Sequence, residues 1–184
     1  MSNREFRDPH LAALSARIEA VRSRTLRLVS WESAESLARR PAAGGWSAAE
    51  IFEHLCIANI SYDLPVERAI EVARTRPGAP RRYRSTLGGA FLIGALSPGS
   101  RAVPTLKPYR PGAPRTRVVE AFLASVDAIE ARMHEADGCD LRVMLTSPVM
   151  PLLRMNLGEA FEVAVVHAER HLSQVERTLK VHSA

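Results

Sequence analysis

The sequence predicts an all-α protein: a four-helix bundle with one long irregular crossover between its second and third helices. Three observations carry this expectation. Four segments repeat apolar residues at three- and four-residue spacing, the period of one helix face. Aromatic residues make up 5% of the 184 residues, so the core must be built mainly from Leu, Val, Ile and Ala, a palette that suits helices better than sheets. No alternation of strand and helix patterns is present, which disfavours an α/β sheet. With 46% hydrophobic and 24% charged residues, the composition is that of an ordinary globular chain, and residues 1–184 are expected to form one domain.

The first helix starts at Asp8-Pro9, with Asp as N-cap and Pro where its missing N–H is not needed. Leu11, Leu14, Ile18, Val21 and Leu28 then form one apolar stripe, running to about Val29. The second helix opens in "GGWSAAEIFEHL", where Ser47 and Glu50 have capping-box spacing. Its inward stripe runs Ile51, His54, Leu55, Ala58, Tyr62, and Pro65 is expected to kink or end it. The third helix spans about Thr116 to Ala136, with Val119, Phe122, Val126, Ile129 and Met133 in register. Asp137-Gly138 stops it. After a loop containing "SPVMP", Asn156 and Glu159 repeat the capping-box spacing. The fourth helix carries Leu157, Phe161, Ala164, His167, His171 and Val175 along one side.

Residues 74–117 are of another kind. Thirteen of the 44 are Gly or Pro, and an irregular crossover with one short helix near Ser85–Leu96 is expected. All the excess basicity resides there. The segment holds ten Lys or Arg and no Asp or Glu, whereas the chain as a whole is +5, so the remainder is net acidic. The longest apolar run, Leu87 to Leu96, is about half the ~20 residues needed to span a bilayer. "MSNREFRDPHLAAL" lacks the pattern of a secretory signal, and Cys56 and Cys139 make no disulfide framework, so a soluble cytoplasmic protein is expected.

His167 and His171 lie one turn apart on one helix face, within reach of a single ion. His54 occupies the inward stripe of the second helix. If the two helices face each other, three imidazoles converge. They leave a coordination position open, as in catalytic rather than structural zinc sites. The competing interpretation is ordinary: an H-x3-H pair on a surface, and a core histidine hydrogen-bonded to a neighbour. Placement of all three on interior stripes favours the metal, because burying three unpartnered imidazoles is costly. The metalloprotease H-E-x-x-H is excluded, since "HAERH" has Ala168 after the first histidine. Cys56 points roughly 200° away from His54 and makes a poor fourth ligand. His10, His134 and His182, near termini and helix ends, are expected to be solvated. No P-loop, G-x-G-x-x-G or G-x-S-x-G is present.

"GGWSAAEIFEHL" and "NLGEAFEVAVVHAERHLSQVER" together resemble the DinB/YfiT-like family. The resemblance covers the second and fourth helices by motif and the other two by position. It implies an up-down-down-up bundle holding a divalent metal, zinc or nickel, on His54, His167 and His171. It further implies thiol-dependent S-transferase or isomerase chemistry using a low-molecular-weight thiol and an electrophilic substrate, and homodimers. The crossover departs from the plainest members in length and basicity.

On this basis Asn59 and Tyr62 are candidates to line the mouth of the site, and Arg81, Arg82 and Arg84 to recognise carboxylates of an acidic thiol. Glu169 and Gln174 are candidates to support the ligands, with a surface Arg as the ordinary partner for Glu169. The alternative function is a non-catalytic metal-binding protein, or a module that binds nucleic acid or an acidic partner through residues 74–117. That segment carries just Tyr83, Phe91 and Tyr109 as aromatics, and a nucleic-acid partner is not favoured.

Overall fold

The computed structural model describes residues 5–76, 83–101 and 104–182. In chain order the elements are α1 (Pro9–Val29), α2 (Ala34–Ala38), α3 (Ala48–Thr75), α4 (Leu87–Leu96), a 3-10 turn (Lys107–Tyr109), α5 (Val118–Ala136), β1 (Met144–Thr146), β2 (Arg154–Asn156) and α6 (Leu157–His182). The protein is thus mostly helical, with one small antiparallel hairpin. The long helices α1, α3, α5 and α6 supply most of the core. Helix α3 packs on both α5 and α6, and α1 closes against α6 and α5. Between them lie Leu11, Leu14, Ile18, Ile51, Phe52, Leu55, Phe122, Met133 and Phe161, all buried.

Local chemistry sets the helix starts. The Asp8 side chain accepts from the His10 and Leu11 amides at 2.8 and 3.3 Å. Ser47 and Glu50 form a reciprocal capping box at 3.2 and 2.9 Å, and Arg40 pairs with Glu50 from outside. Asn156 and Glu159 do the same for α6, at 2.9 and 2.7 Å.

Pro65 neither ends α3 nor marks its boundary; the helix continues ten residues further to Thr75. The lost amide bond is outweighed by the buried residues beyond it, Val66, Ala69, Ile70 and Ala73, which keep that turn of helix on the core. The "SPVMP" loop is the tip of the β1–β2 hairpin, in which Leu145 pairs with Met155. Three-residue strands are too short for periodicity to reveal. The crossover holds α4 and the 3-10 turn, and Arg74 and Thr75 belong to α3. Among the described residues, no helix is long and apolar enough to cross a membrane.

Helix α4 lies along α6 and β2, and it is pinned there by a buried carboxylate. Glu159, fully buried, accepts from Ser85 Oγ at 2.8 Å, Thr86 Oγ1 at 2.9 Å and the Thr86 amide. Gly89 passes directly over this carboxylate, where any Cβ would collide with it. The apolar "LGGAFLIGAL" is therefore a packed surface helix whose glycine admits a buried anion.

Candidate metal centre

Helix α3 delivers His54 two turns after its capping box, and α6 delivers His167 and His171 one turn apart. All three are buried, at 5%, 9% and 9% exposure. Their ring centroids lie 4.6 to 5.0 Å apart, and one nitrogen from each falls within 4.8 Å of the others.

The outer nitrogens of two rings are committed elsewhere. His54 Nδ1 lies 2.7 Å from the Tyr109 carbonyl, which can only accept, so this nitrogen carries the proton. His171 Nδ1 lies 2.8 Å from Gln174 Oε1, which likewise accepts. In both rings the proton on Nδ1 leaves Nε2 as a bare lone pair. His54 Nε2 sits 3.2 Å from His167 Nε2. Two nitrogens on one tetrahedral zinc, each at about 2.0–2.1 Å, are separated by about 3.3 Å, so the pair already has ligand spacing.

Electrostatics favour the same state. Burial holds the His54 imidazole below its ordinary pKa, partly offset by the hydrogen bond to Tyr109. Burial, reinforced by His171 and His54, holds His167 well below it. His171 is depressed to about 3, first by burial and then by His54. Three neutral imidazoles that resist protonation are competent metal ligands, and the residues present fit a divalent ion.

Trp46 and Tyr109 fix the His54 ring, and Arg170 and Arg115 tie the crossover to the helices beside it. Trp46 packs a tilted ring 5.1 Å from His54. Tyr109, on the 3-10 turn, offers its carbonyl to His54 while its hydroxyl donates to the Pro148 carbonyl at 2.8 Å, joining crossover and hairpin over the site. Arg170, between the two α6 ligands, donates to the carbonyls of Ala95, Ser97 and Arg101 at 3.3, 3.2 and 3.0 Å and also to Ser100 Oγ. Arg115 grips Glu53 with two bonds of 2.8 and 2.7 Å next to His54, and holds that carboxyl below its usual range. The crossover is thereby fastened at Glu159, Arg170 and Glu53. Sequence reasoning identified none of these fasteners: a backbone carbonyl carries no residue signature, and arginines in a basic loop look solvated.

The remaining candidates distribute as follows. Gln174 supports His171. Glu169 instead pairs with Arg17, at 2.9 and 2.7 Å. Asn59 and Tyr62 line a cavity to which none of the three histidines contributes. Arg84 is exposed and gives its carbonyl to Asn156, while Arg81 and Arg82 lie outside the described residues. Cys56 is buried, its thiol pushed up to about 11 chiefly by that burial, and it does not join the histidine group. His10 is not solvated: it stacks on Tyr83 at 3.7 Å and meets the Gly158 carbonyl at 3.2 Å. His134 is exposed and stacks on Phe6, and the His182 side chain lies outside the described residues. Within the basic segment Arg74, Arg76, Arg115 and Arg117 each lie within 4.0 Å of a carboxylate on this chain, which spends much of its charge internally.

A family model described as the DinB superfamily matches residues 17–175, a span that includes all three histidines. No curated protein and no solved structure matches the chain.

Proposed function

Because the chain belongs to the DinB superfamily, we propose that it is a divalent-metal-dependent enzyme of thiol S-transferase type, with zinc or nickel on His54, His167 and His171. The family's up-down-down-up bundle is the proposed arrangement of α1, α3, α5 and α6. The observation that carries the proposal is the convergence of three buried, neutral imidazoles, two of which have their outer nitrogens fixed by Tyr109 and Gln174. A divalent ion so held lowers the pKa of a bound thiol or water toward neutrality.

The chain's own residues do the rest. The carbonyl of Tyr109 and the amide of Gln174 fix the tautomers and directions of His54 and His171, so that Nε2 of each faces the centre. The burial that keeps the imidazoles unprotonated also keeps bulk water from the rings. Arg84, exposed two residues before the N-cap of α4, is the proposed contact for an acidic thiol. In the proposed reaction the thiol sulfur forms a bond to an electrophilic carbon, the leaving group departs with its electron pair, and the thiol proton passes to solvent.

The test is to load the purified chain with zinc or nickel and offer it a panel of low-molecular-weight thiols with activated aryl and alkyl halides. Thiol consumption that requires metal and disappears in His171→Ala is expected. A loaded protein that consumes no thiol with any electrophile would overturn the transferase assignment.

A further inference from the structure

Past His54, α3 faces α5 and α6 across a cavity of about 190 Å³. Its walls are largely apolar, with Val66, Ile129, Ala160 and Ala164 prominent, and the ring of Phe161 contributes. A dry cavity of about 150 Å³ admits benzene, so this one has room for an aromatic ring with a short tail. Small residues create the space: Ala128, Ala160 and Ala164 stand where larger side chains would fill it.

One polar group in the wall is incompletely satisfied. Asn59 is 6% exposed and lines the cavity. Ser125 Oγ donates to the Phe122 carbonyl at 2.7 Å, so its oxygen must accept from Asn59 Nδ2, at 2.9 Å. That orientation leaves Asn59 Oδ1, a buried acceptor, without a hydrogen bond among the described residues. Leaving such a group unpaired is costly, and a donor supplied by a ligand would relieve it. The Tyr62 hydroxyl is already engaged with Ser147 Oγ at 3.2 Å.

The mouth sets the sign of charge. Arg132, at the rim, is engaged by Asp63 at 2.9 Å, Glu67 at 3.2 Å and Glu135 at 3.1 Å. Arg74 reaches Glu135 at 4.0 Å. Among the described residues, Arg132 is the one cation lining the cavity, and it is already paired with three carboxylates, so an arriving anion meets no unpaired cation on the lining.

We propose that this cavity is a binding site for a small, mainly apolar molecule bearing one hydrogen-bond donor and no negative charge, of the arylalkyl alcohol or amine class. Asn59 Oδ1 receives the donor, the alanine-lined wall receives the ring, and the carboxylates of Asp63, Glu67 and Glu135 around Arg132 favour neutral or cationic tails over anions. The site does not depend on the metal assignment, since no histidine ligand lines it.

A matched series decides this in the full chain: 2-phenylethylamine, 2-phenylethanol, ethylbenzene and phenylacetate, titrated against methyl resonances of Ile60, Ala128 and Ala160. The amine and alcohol are expected to shift these resonances saturably, ethylbenzene to bind about fivefold more weakly than the alcohol, and phenylacetate at least about tenfold more weakly. Asn59→Leu is expected to bring the alcohol down to the level of ethylbenzene. Should that variant not fold, the series on the unaltered chain still decides. The same ranking is expected in His167→Ala. Equal affinity for phenylacetate, equal affinity for ethylbenzene and the alcohol, shifts confined to other residues, or no saturation by any compound would overturn the proposal.

Discussion

The contact between α3 and α6 is built from opposite materials in its two halves. In one, His54, His167 and His171 meet with polar rings, and the crossover is held beside them through Tyr109 and four contacts from Arg170. In the other, Tyr62, Val66, Ala160, Phe161 and Ala164 meet through apolar surface and leave a cavity. The first half buries three imidazoles and is costly to close without a ligand; the second is held mainly by apolar packing, with Asn59, 6% exposed, a polar side chain in its lining. One pair of helices therefore carries the proposed metal centre and the apolar packing at different places along its length. Substitutions in the two halves should fail in different ways.

The largest effect is expected in the apolar half. Phe161→Ala removes a ring that is 2% exposed and enlarges the cavity, which should cost about 3–5 kcal/mol in denaturant unfolding. Metal affinity of the folded fraction should change little. A comparable loss of metal affinity would erase the division between the halves.

Next comes the support of a ligand. Gln174→Leu keeps the volume but removes the acceptor for His171 Nδ1, and metal affinity should fall about 10–100-fold with stability nearly unchanged. Unaltered affinity would show that His171 is directed by packing alone.

The smallest effect per step is the pH dependence of the metal-free protein. Each imidazole has a folded pKa below its unfolded value of about 6.5, so its contribution is fully present above that pH and is lost as pH falls toward the folded value. Each group held neutral adds up to about 1.4 kcal/mol per pH unit to the slope. Unfolding midpoints should therefore drop from pH 7 to pH 5, and less steeply in His171→Ala. An identical slope in that variant would place the titration outside the centre.

How much of this was legible in the sequence follows the same division. The capping boxes Ser47–Glu50 and Asn156–Glu159 could be read because a few neighbouring residues decide a helix start. His54, His167 and His171 could be assembled because helical period assigns a face to each. Of the two outcomes expected at Pro65, a kink or an end, the end does not occur, since local propensity yields to the buried residues that follow it. The hairpin was invisible at three residues per strand. Tyr109 acts on His54 through its carbonyl, and any residue has one. Asn59 and Tyr62 follow His54 along α3, and Tyr62 shares nearly its face, which makes them candidates for the mouth of the site. Phase gives direction around α3 but not what the other helices leave open, and both residues line the cavity between α3, α5 and α6.

Zinc titration of the metal-free chain, followed by calorimetry beside the His54→Ala, His167→Ala and His171→Ala variants, tests the centre most directly. One ion per chain is expected, with a raised unfolding midpoint, and near-complete loss of tight binding in each variant. Failure to bind stoichiometric zinc or nickel, or binding indifferent to all three substitutions, would contradict a metal centre at these histidines.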